Sequence, residues 1–141
     1  NNDMFAYERD LESMSRRYKD YVMLYLLSVI VRRFEQGETP QTAQEMAIQN
    51  RLPIRLVQQL LSRLEETNII RRVYVEQEED ETFVPALDTR KITVDMVVGR
   101  ISAQGTEEFL QHTPPQMHAF WKRYLQMCEA NTSDNILVSD L

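Results

Sequence analysis

The side chains best suited to hold a metal or to act in catalysis are two histidines and one cysteine. His112 and His118 are six residues apart with two prolines between them, and Cys128 follows. No helix face aligns the histidines at this spacing, and zinc ligands normally come in close pairs. No local motif joins a serine to either histidine as a base. We therefore expect no catalytic residues, no metal, no cofactor and no enzyme activity.

A second kind of chemistry is offered by an amphipathic helix predicted from about Pro53 to Thr67. Its apolar stripe recurs at helical spacing, at Ile54, Val57, Leu60, Leu61 and Leu64. Arginine and glutamine on its outer face are residue types that read guanine and adenine edges in a major groove. The candidate recognition residues are Arg55, Gln58, Gln59, Ser62 and Arg63. A solvated helix face has the same composition, so both interpretations stay open.

A loop further along the chain argues against nucleic acid. Five carboxylates stand where a DNA-binding wing would meet phosphate, and no cation lies between Val73 and Pro85 to offset them: Glu76, Glu78, Glu79, Asp80 and Glu81. The whole chain has a formal net charge of -6. Because like charges repel at close range, we expect no sequence-specific DNA binding. The run also lacks the central glycine of a calcium-binding loop, so a solvated charged loop is favoured.

The elements around this helix follow the order of a winged helix-turn-helix. A first helix begins after Ser13 or Ser15 and runs to about Phe34. Thr42 and Glu45 form a capping box, S/T-x-x-E, that opens a short helix before the candidate recognition helix. Two strand-like segments follow, at 69–75 and 83–86, and then two more helices, at 94–103 and from Pro114–Pro115 onward. The predicted fold class is mainly α with a small β-hairpin, a winged helix-turn-helix with extra N- and C-terminal helices.

Length and composition limit the domain organisation. A chain of 141 residues suggests one domain, and three glycines are too few for an all-β fold. The single cysteine excludes an internal disulfide. We expect a leader segment over 1–14, the winged domain over 15–130 and a mobile tail over 131–141. No small-molecule substrate is evident.

The first helix is apolar on nearly every side. From Tyr21 to Val31 only Ser28 is polar, and eleven residues are too few to span a bilayer. We expect such a helix to be buried on more than one side, with part of its surface covered by a partner. The candidate interface residues are Leu24, Leu27 and Val31 on this helix and Phe120, Trp121 and Tyr124 on the last one. The expected partner is a second copy of the chain or a domain outside the given sequence.

Several segments together resemble one family. The segments are Arg17-Tyr18-Lys19-Asp20, FEQGETPQTAQEMA, LPIRLVQQLLSRLEETNII and PALDTRKITVDMVVGRI. They resemble the C-terminal extension of certain YihY/BrkB-family inner-membrane proteins, formerly called ribonuclease BN-like, over about residues 15–109. The most specific parts are the stretch from Leu52 to Val57, together with Pro85-Ala86-Leu87-Asp88 and Ile92-Thr93-Val94. Asn68 and Phe83-Val84 depart from the family pattern.

This resemblance implies a non-enzymatic interaction or regulatory module. It would form the cytoplasmic domain of a membrane protein, at the cytoplasmic face of the inner membrane, and the piece itself would be soluble. The alternative is a DNA-binding transcriptional regulator of winged-helix type. The segment LPIRLVQQLLSRLEETNIIRRV is also similar to Rrf2-type regulators, although those often carry cysteine clusters and this chain has one cysteine.

Overall fold

The computed structural model describes residues 11–76, 79–108, 112–130 and 135–141. Its helices are α1 (Arg16–Glu35), α2 (Ala43–Asn50), α3 (Ile54–Glu66), α4 (Val94–Ser102) and α5 (Pro115–Ala130). Its strands are β1 (Ile70–Val73) and β2 (Thr82–Pro85), and short 3-10 turns cover Thr89–Lys91 and Val138–Asp140. This order confirms the predicted class, a mainly helical winged helix-turn-helix with a small hairpin.

Local sequence signals explain where the helix-turn-helix elements begin and end. The Ser15 side chain accepts from the backbone N–H of Tyr18 and caps α1. Thr42 and Glu45 form the reciprocal capping box that opens α2. The turn into α3 uses Arg51, with a φ of 54°, as its left-handed residue. The sequence favours Asn50 for that position, but Asn50 remains helical and donates through its side chain to the Met46 carbonyl at 2.8 Å.

The wing consists of β1, β2 and the described residues between them, 74–76 and 79–81. The strands are antiparallel, with Ile70 opposite Pro85 and Val73 opposite Thr82. The backbone N–H of Phe83 donates to the Gln41 carbonyl at 3.2 Å. The wing is therefore joined directly to the segment that begins α2.

The core is built around α1. Met23, Leu26, Leu27 and Val31 have no exposed surface. Ser28, the one polar residue of the apolar run, is also buried, and its hydroxyl donates to the Tyr25 carbonyl at 2.6 Å. Helix α3, strand β2, helix α4 and the C-terminal turn all contact α1. The expectation that α1 is buried on more than one side is met largely within the chain itself.

The C-terminal residues differ from the expected mobile tail. Val138 is fully buried, and its backbone N–H donates to the Ile92 carbonyl at 3.0 Å. The backbone N–H of Val94 donates to the Ile136 carbonyl at 2.8 Å. Weak apolar patterning predicts mobility, but Ile136 and Val138 dock this segment through backbone hydrogen bonds that composition does not reveal. Residues 131–134, and residues 1–10 of the expected leader, lie outside the described part; Leu11 at the edge of that leader is buried.

Among the described residues, no helix combines the length and the hydropathy that crossing a membrane requires.

We predict that the docked C-terminal segment contributes to stability. Val138→Asp should lower the free energy of unfolding by about 2–4 kcal/mol, because it places a carboxylate among buried apolar side chains. Ile136→Asp, two residues away, should change it by less than about 0.5 kcal/mol, since the Ile136 side chain is exposed. Urea denaturation followed by circular dichroism measures both. Equal effects of the two substitutions would show that the segment is not docked.

Candidate nucleic-acid interface

Helix α3 presents its polar face to solvent, as the sequence predicts. Leu56, Val57, Leu60, Leu61 and Leu64 are buried. The predicted apolar stripe is thus right except at its first position, where Ile54 is 38% exposed and Leu56 points inward instead. The candidate residues Arg55, Gln58 and Gln59 are exposed, whereas Ser62 and Arg63 are half-buried. All five lie on one accessible side of the helix.

A groove of about 530 Å³ runs along this side of α3 and reaches α1. Its charged lining consists of three cations and one carboxylate: Lys19, Arg55, Arg63 and Glu66. Gln58, Gln59 and Ser62 supply neutral polar groups to the same groove. The groove therefore has a surplus of two positive charges in a chain whose net charge is -6. We call it the cationic groove.

A second groove, of about 660 Å³, lies on the opposite flank of α3, between α2 and the wing. Gln58 and Ser62 line both grooves. The charged lining here is one cation and three carboxylates: Arg72, Glu79, Asp80 and Glu81. We call it the acidic groove. The exposed face of α3 thus lies between two surfaces of opposite charge.

Arg72 links the wing to α3 across the acidic groove. Its Nε lies 2.5 Å from Glu65 Oε2 of α3, and its Nη1 lies 2.6 Å from Glu81 Oε2 of the wing. The guanidinium also stands 5.4 Å from the centre of the Phe83 ring, a cation–π distance. Tyr74 donates its hydroxyl to Glu81 Oε1 at 3.0 Å. One carboxylate of the acidic loop is therefore neutralised at short range.

These contacts change the protonation equilibria of the wing. The hydrogen bond from Arg72, and then that from Tyr74, lowers the pKa of Glu81 below its ordinary value. The hydrogen bonds to Glu81 and then Glu65 raise the pKa of Arg72, and the hydrogen bond to Glu81 raises the pKa of Tyr74. Glu81 stays ionised and Arg72 stays charged, which keeps the link intact in neutral solution.

The C-terminal end of α3 is held by α4. Arg100 Nη1 lies 3.3 Å from the Thr67 carbonyl and 3.4 Å from the Asn68 carbonyl, which follow α3. Gln104, just after α4, donates its Nε2 to Glu66 Oε2 at 2.6 Å. Arg100 thus donates to backbone carbonyls at the end of α3, and Gln104 donates to the side-chain carboxylate of Glu66. Together the two side chains tie the end of α3 to α4. They also fix the orientation of the recognition face relative to α4.

The candidate interface residues separate into two groups. Leu27 and Val31 are fully buried in the chain's own core, and Leu24 is half-buried against that core. Phe120, Trp121 and Tyr124 lie on α5, every residue of which is exposed. The Trp121 and Tyr124 rings stack on each other with centroids 5.9 Å apart. The structure therefore does not bring the α1 and α5 candidates together, because α1 finds its neighbours within the chain.

The residues considered for catalysis or metal binding are all accessible. His112, His118 and Cys128 are exposed, the last two on α5. Lys19, Arg72 and Tyr74 line the two grooves but are not among the recognition residues that the sequence suggests. Lys19 follows Arg16 and Arg17 closely, so a search for clustered cations would have found it. No sequence signal connects Arg72 to Glu65, because the helix and strand bring them together.

No protein-family model matches the sequence, and no curated protein matches it. Several solved structures are similar in fold. IscR from T. potens is 16% identical with a TM-score of 0.58, covering 92% of this chain and 87% of that one. Staphylococcus aureus CymR is 17% identical with a TM-score of 0.56, covering 86% of this chain and 93% of that one.

CymR of B. subtilis, described as the global cysteine regulator of that organism, is 19% identical. Its TM-score is 0.52, and the match covers 91% of this chain and 94% of CymR. The IscR and CymR structures are those of transcriptional regulators of the Rrf2 family. At these identities the likeness establishes the fold and nothing finer.

The resemblance to the cytoplasmic domain of a YihY/BrkB-family membrane protein is wrong. The structures that match along most of this chain are regulators instead. The expected location at the inner membrane, as part of a membrane protein, is wrong for the same reason. The misleading signal is physical in origin, since capped helices with apolar stripes look alike in any winged domain. The comparisons support the predicted winged-helix fold and give no support to the membrane-associated module.

We predict that Arg72 sets the pKa of Glu81. The pKa of Glu81 is lower in the folded protein than in the unfolded chain. Ionised Glu81 therefore stabilises the folded protein at pH values above the unfolded-state pKa. That contribution is lost as the pH falls through the lowered value. In a carboxyl NMR titration, Arg72→Ala should move the Glu81 pKa upward, toward its ordinary value. Asp88 is the internal control: its pKa is held at about 2 by the Arg90 side chain and then the Arg90 backbone N–H, and should not move.

Proposed function

We propose that this protein is a DNA-binding transcriptional regulator of winged-helix type. Helix α3 would enter the major groove, and the side of α3 that faces α1 would lie along the phosphate backbone. The observation that supports this most directly is the cationic groove, which concentrates Lys19, Arg55 and Arg63 beside the exposed face of α3. Neutralising phosphates supplies most of the sequence-independent affinity for DNA.

The exposed residues of α3 suit base recognition. Arg55, Gln58 and Gln59 lie in its first two turns, and the N-terminal residues of a recognition helix are those that contact base edges. Arginine pairs with guanine and glutamine with adenine through two hydrogen bonds each. The cationic groove beside them would receive a phosphate strand, so base-reading and phosphate-binding groups lie side by side.

The acidic wing limits how DNA can approach. Glu79 and Asp80 line the acidic groove, and Arg72 in that groove is already bound to Glu65 and Glu81. Phosphates brought to this flank would meet like charge. We therefore infer a complex tilted toward α1, in which the wing makes no phosphate contact. The carboxylates would prevent one mode of binding and leave the α3 contact available.

Helix α5 supplies the second part of the proposal, association into a homodimer. Five of its apolar and aromatic residues are 40% to 51% exposed and form an apolar stripe on one face: Met117, Phe120, Trp121, Tyr124 and Leu125. Such a stripe is costly in water, and two-fold self-association is the commonest way to bury one. A dimer would also present two α3 helices to DNA, as helix-turn-helix dimers do.

We expect Arg55→Ala to weaken binding to DNA. The loss should be about 5- to 150-fold on a duplex selected from a random pool, since one bidentate contact to a base is worth about 1–3 kcal/mol. Lys91→Ala is the charge-matched control, because Lys91 is exposed and lies outside both grooves. Fluorescence anisotropy at low salt measures both. No wild-type binding at low salt, or equal losses in the two variants, would contradict the proposal.

We expect Trp121→Glu to shift the protein toward monomer, because it places a charge in the middle of the apolar stripe. Gln126→Glu adds the same charge to the opposite face of α5 and should leave the association unchanged. Sedimentation velocity over a concentration range distinguishes the two variants. A wild-type protein that stays monomeric at the highest concentration would refute the dimer without affecting the test on Arg55.

A further inference from the structure

One ion pair within the cationic groove differs from the others. Arg63 of α3 faces Asp20 of α1, with Arg63 Nη1 3.8 Å from Asp20 Oδ1. This separation is too long for a hydrogen bond. Both atoms are nevertheless shielded from solvent, and neither has a hydrogen-bond partner within the described part of the chain. The other ion pairs of the described residues are closer, at 2.5–2.9 Å.

The contact is thus a Coulombic one without hydrogen bonds. Buried donors and acceptors that lack partners are costly. If Arg63 moved away from Asp20, this nitrogen would give up the Coulombic attraction of the carboxylate but no hydrogen bond. A phosphate would offer the guanidinium two charge-assisted hydrogen bonds in place of none. The side chain of Arg63 is 38% exposed and lines the cationic groove, so its outer edge already faces the space that a phosphate would occupy.

Asp20 also alters the charge of the groove. It stands next to Lys19 in the chain and approaches the groove from α1, with its side chain 24% exposed. Counting it lowers the positive surplus from two charges to one. Glu66, the other carboxylate near this surface, is bound by the Gln104 amide at 2.6 Å and has no ion pair with Arg63 in the described structure.

We propose that Asp20 restrains Arg63 and thereby limits the affinity of the cationic groove for DNA phosphate. This inference rests on the proposed function and deepens it. In the free protein the carboxylate of Asp20 holds the guanidinium toward α1. On binding, Arg63 exchanges this loose pair for hydrogen bonds to phosphate, and the lost attraction to Asp20 reduces the affinity. Asp20 is thus a positioning residue. It does not touch DNA, and it affects the affinity only through its pairing with Arg63.

A double-mutant cycle tests the exchange, with a fluorescein-labelled random-sequence duplex as the probe and anisotropy read over a salt series. Asp20→Asn should bind about tenfold more tightly than wild type, because its Arg63 loses no ion pair on binding. Its log–log salt slope should stay unchanged, because Arg63 neutralises the same phosphate in both proteins. In the Arg63→Ala background the same substitution should change the affinity by less than about threefold, with an unchanged slope. Asp20→Glu keeps the charge and should behave as wild type.

Glu66→Gln is the matched control, since it also converts a carboxylate beside this groove into an amide. Glu66→Gln should change the affinity for the duplex by the same small factor in the wild-type protein and in the Arg63→Ala variant. Thermal unfolding confirms that each variant is folded, and Asp20→Ala provides a second substitution that removes the charge.

If Asp20→Asn strengthens binding equally with and without Arg63, the effect is general charge removal and the restraint is refuted. Binding that depends on Arg55 while the cycle is additive would refute only the role of Asp20. Absence of binding by wild type and Asp20→Asn alike would refute the DNA-binding proposal and this one together.

Discussion

Burial of α1 is the constraint on which the other elements depend. Met23, Leu26, Leu27 and Val31 have no exposed surface, and a helix this apolar must be covered on several sides. The chain achieves this by packing α3, β2, α4 and the C-terminal turn around it. Hydrophobic burial has no direction of its own, so the polar contacts decide the arrangement. The Thr42 cap, the Arg100 contacts to the end of α3 and the backbone bonds at Val138 fix where each covering element lies.

Fixing α3 against α1 has an electrostatic consequence. The start of α1 carries Lys19, and packing brings it beside Arg55 and Arg63 of α3. On the other flank the hairpin places its carboxylates next to the same helix. An acidic chain can therefore keep a local positive surface. The electrostatic field near a groove depends on the nearest charges, because salt screens charges that lie more than about 8–10 Å away. The net charge of -6 argues against DNA binding, whereas the placement of three cations beside α3 argues for it.

Much of the fold is predictable from the sequence because its signals are local. The Thr42–Glu45 capping box, the apolar stripe of α3 and the β-branched and aromatic residues of segment 69–75 each specify an element within about ten residues. The exposed candidates Arg55, Gln58 and Gln59 follow from helical periodicity alone. Contacts between elements are less accessible to such reasoning. The sequence predicts that a partner covers part of α1, whereas in the structure C-terminal residues more than 100 positions away supply part of that cover.

The link from Arg72 to Glu65 and the approach of Asp20 to Arg63 illustrate the same limit. Each depends on two elements meeting at a particular angle, which hydrophobic patterning does not encode. Family resemblance was misleading for a related reason. Capped, amphipathic helices followed by a hairpin satisfy the same packing rules in proteins of different function, so short shared segments indicate the fold more reliably than the family.

The contacts between α3 and α4 bear on how a dimer would engage DNA. Arg100 and Gln104 bind the last turn of α3 and the residues after it. Helix α4 precedes α5 in the chain, and α5 carries the apolar stripe proposed to associate. Holding α3 to α4 reduces the freedom of the recognition helix within each subunit. The separation of two α3 helices in a dimer would then be set by how the α5 helices pair, and that separation determines which spacing of half-sites fits. Ordering both recognition helices before DNA arrives lowers the entropic cost of binding, since less of the protein must be fixed on contact.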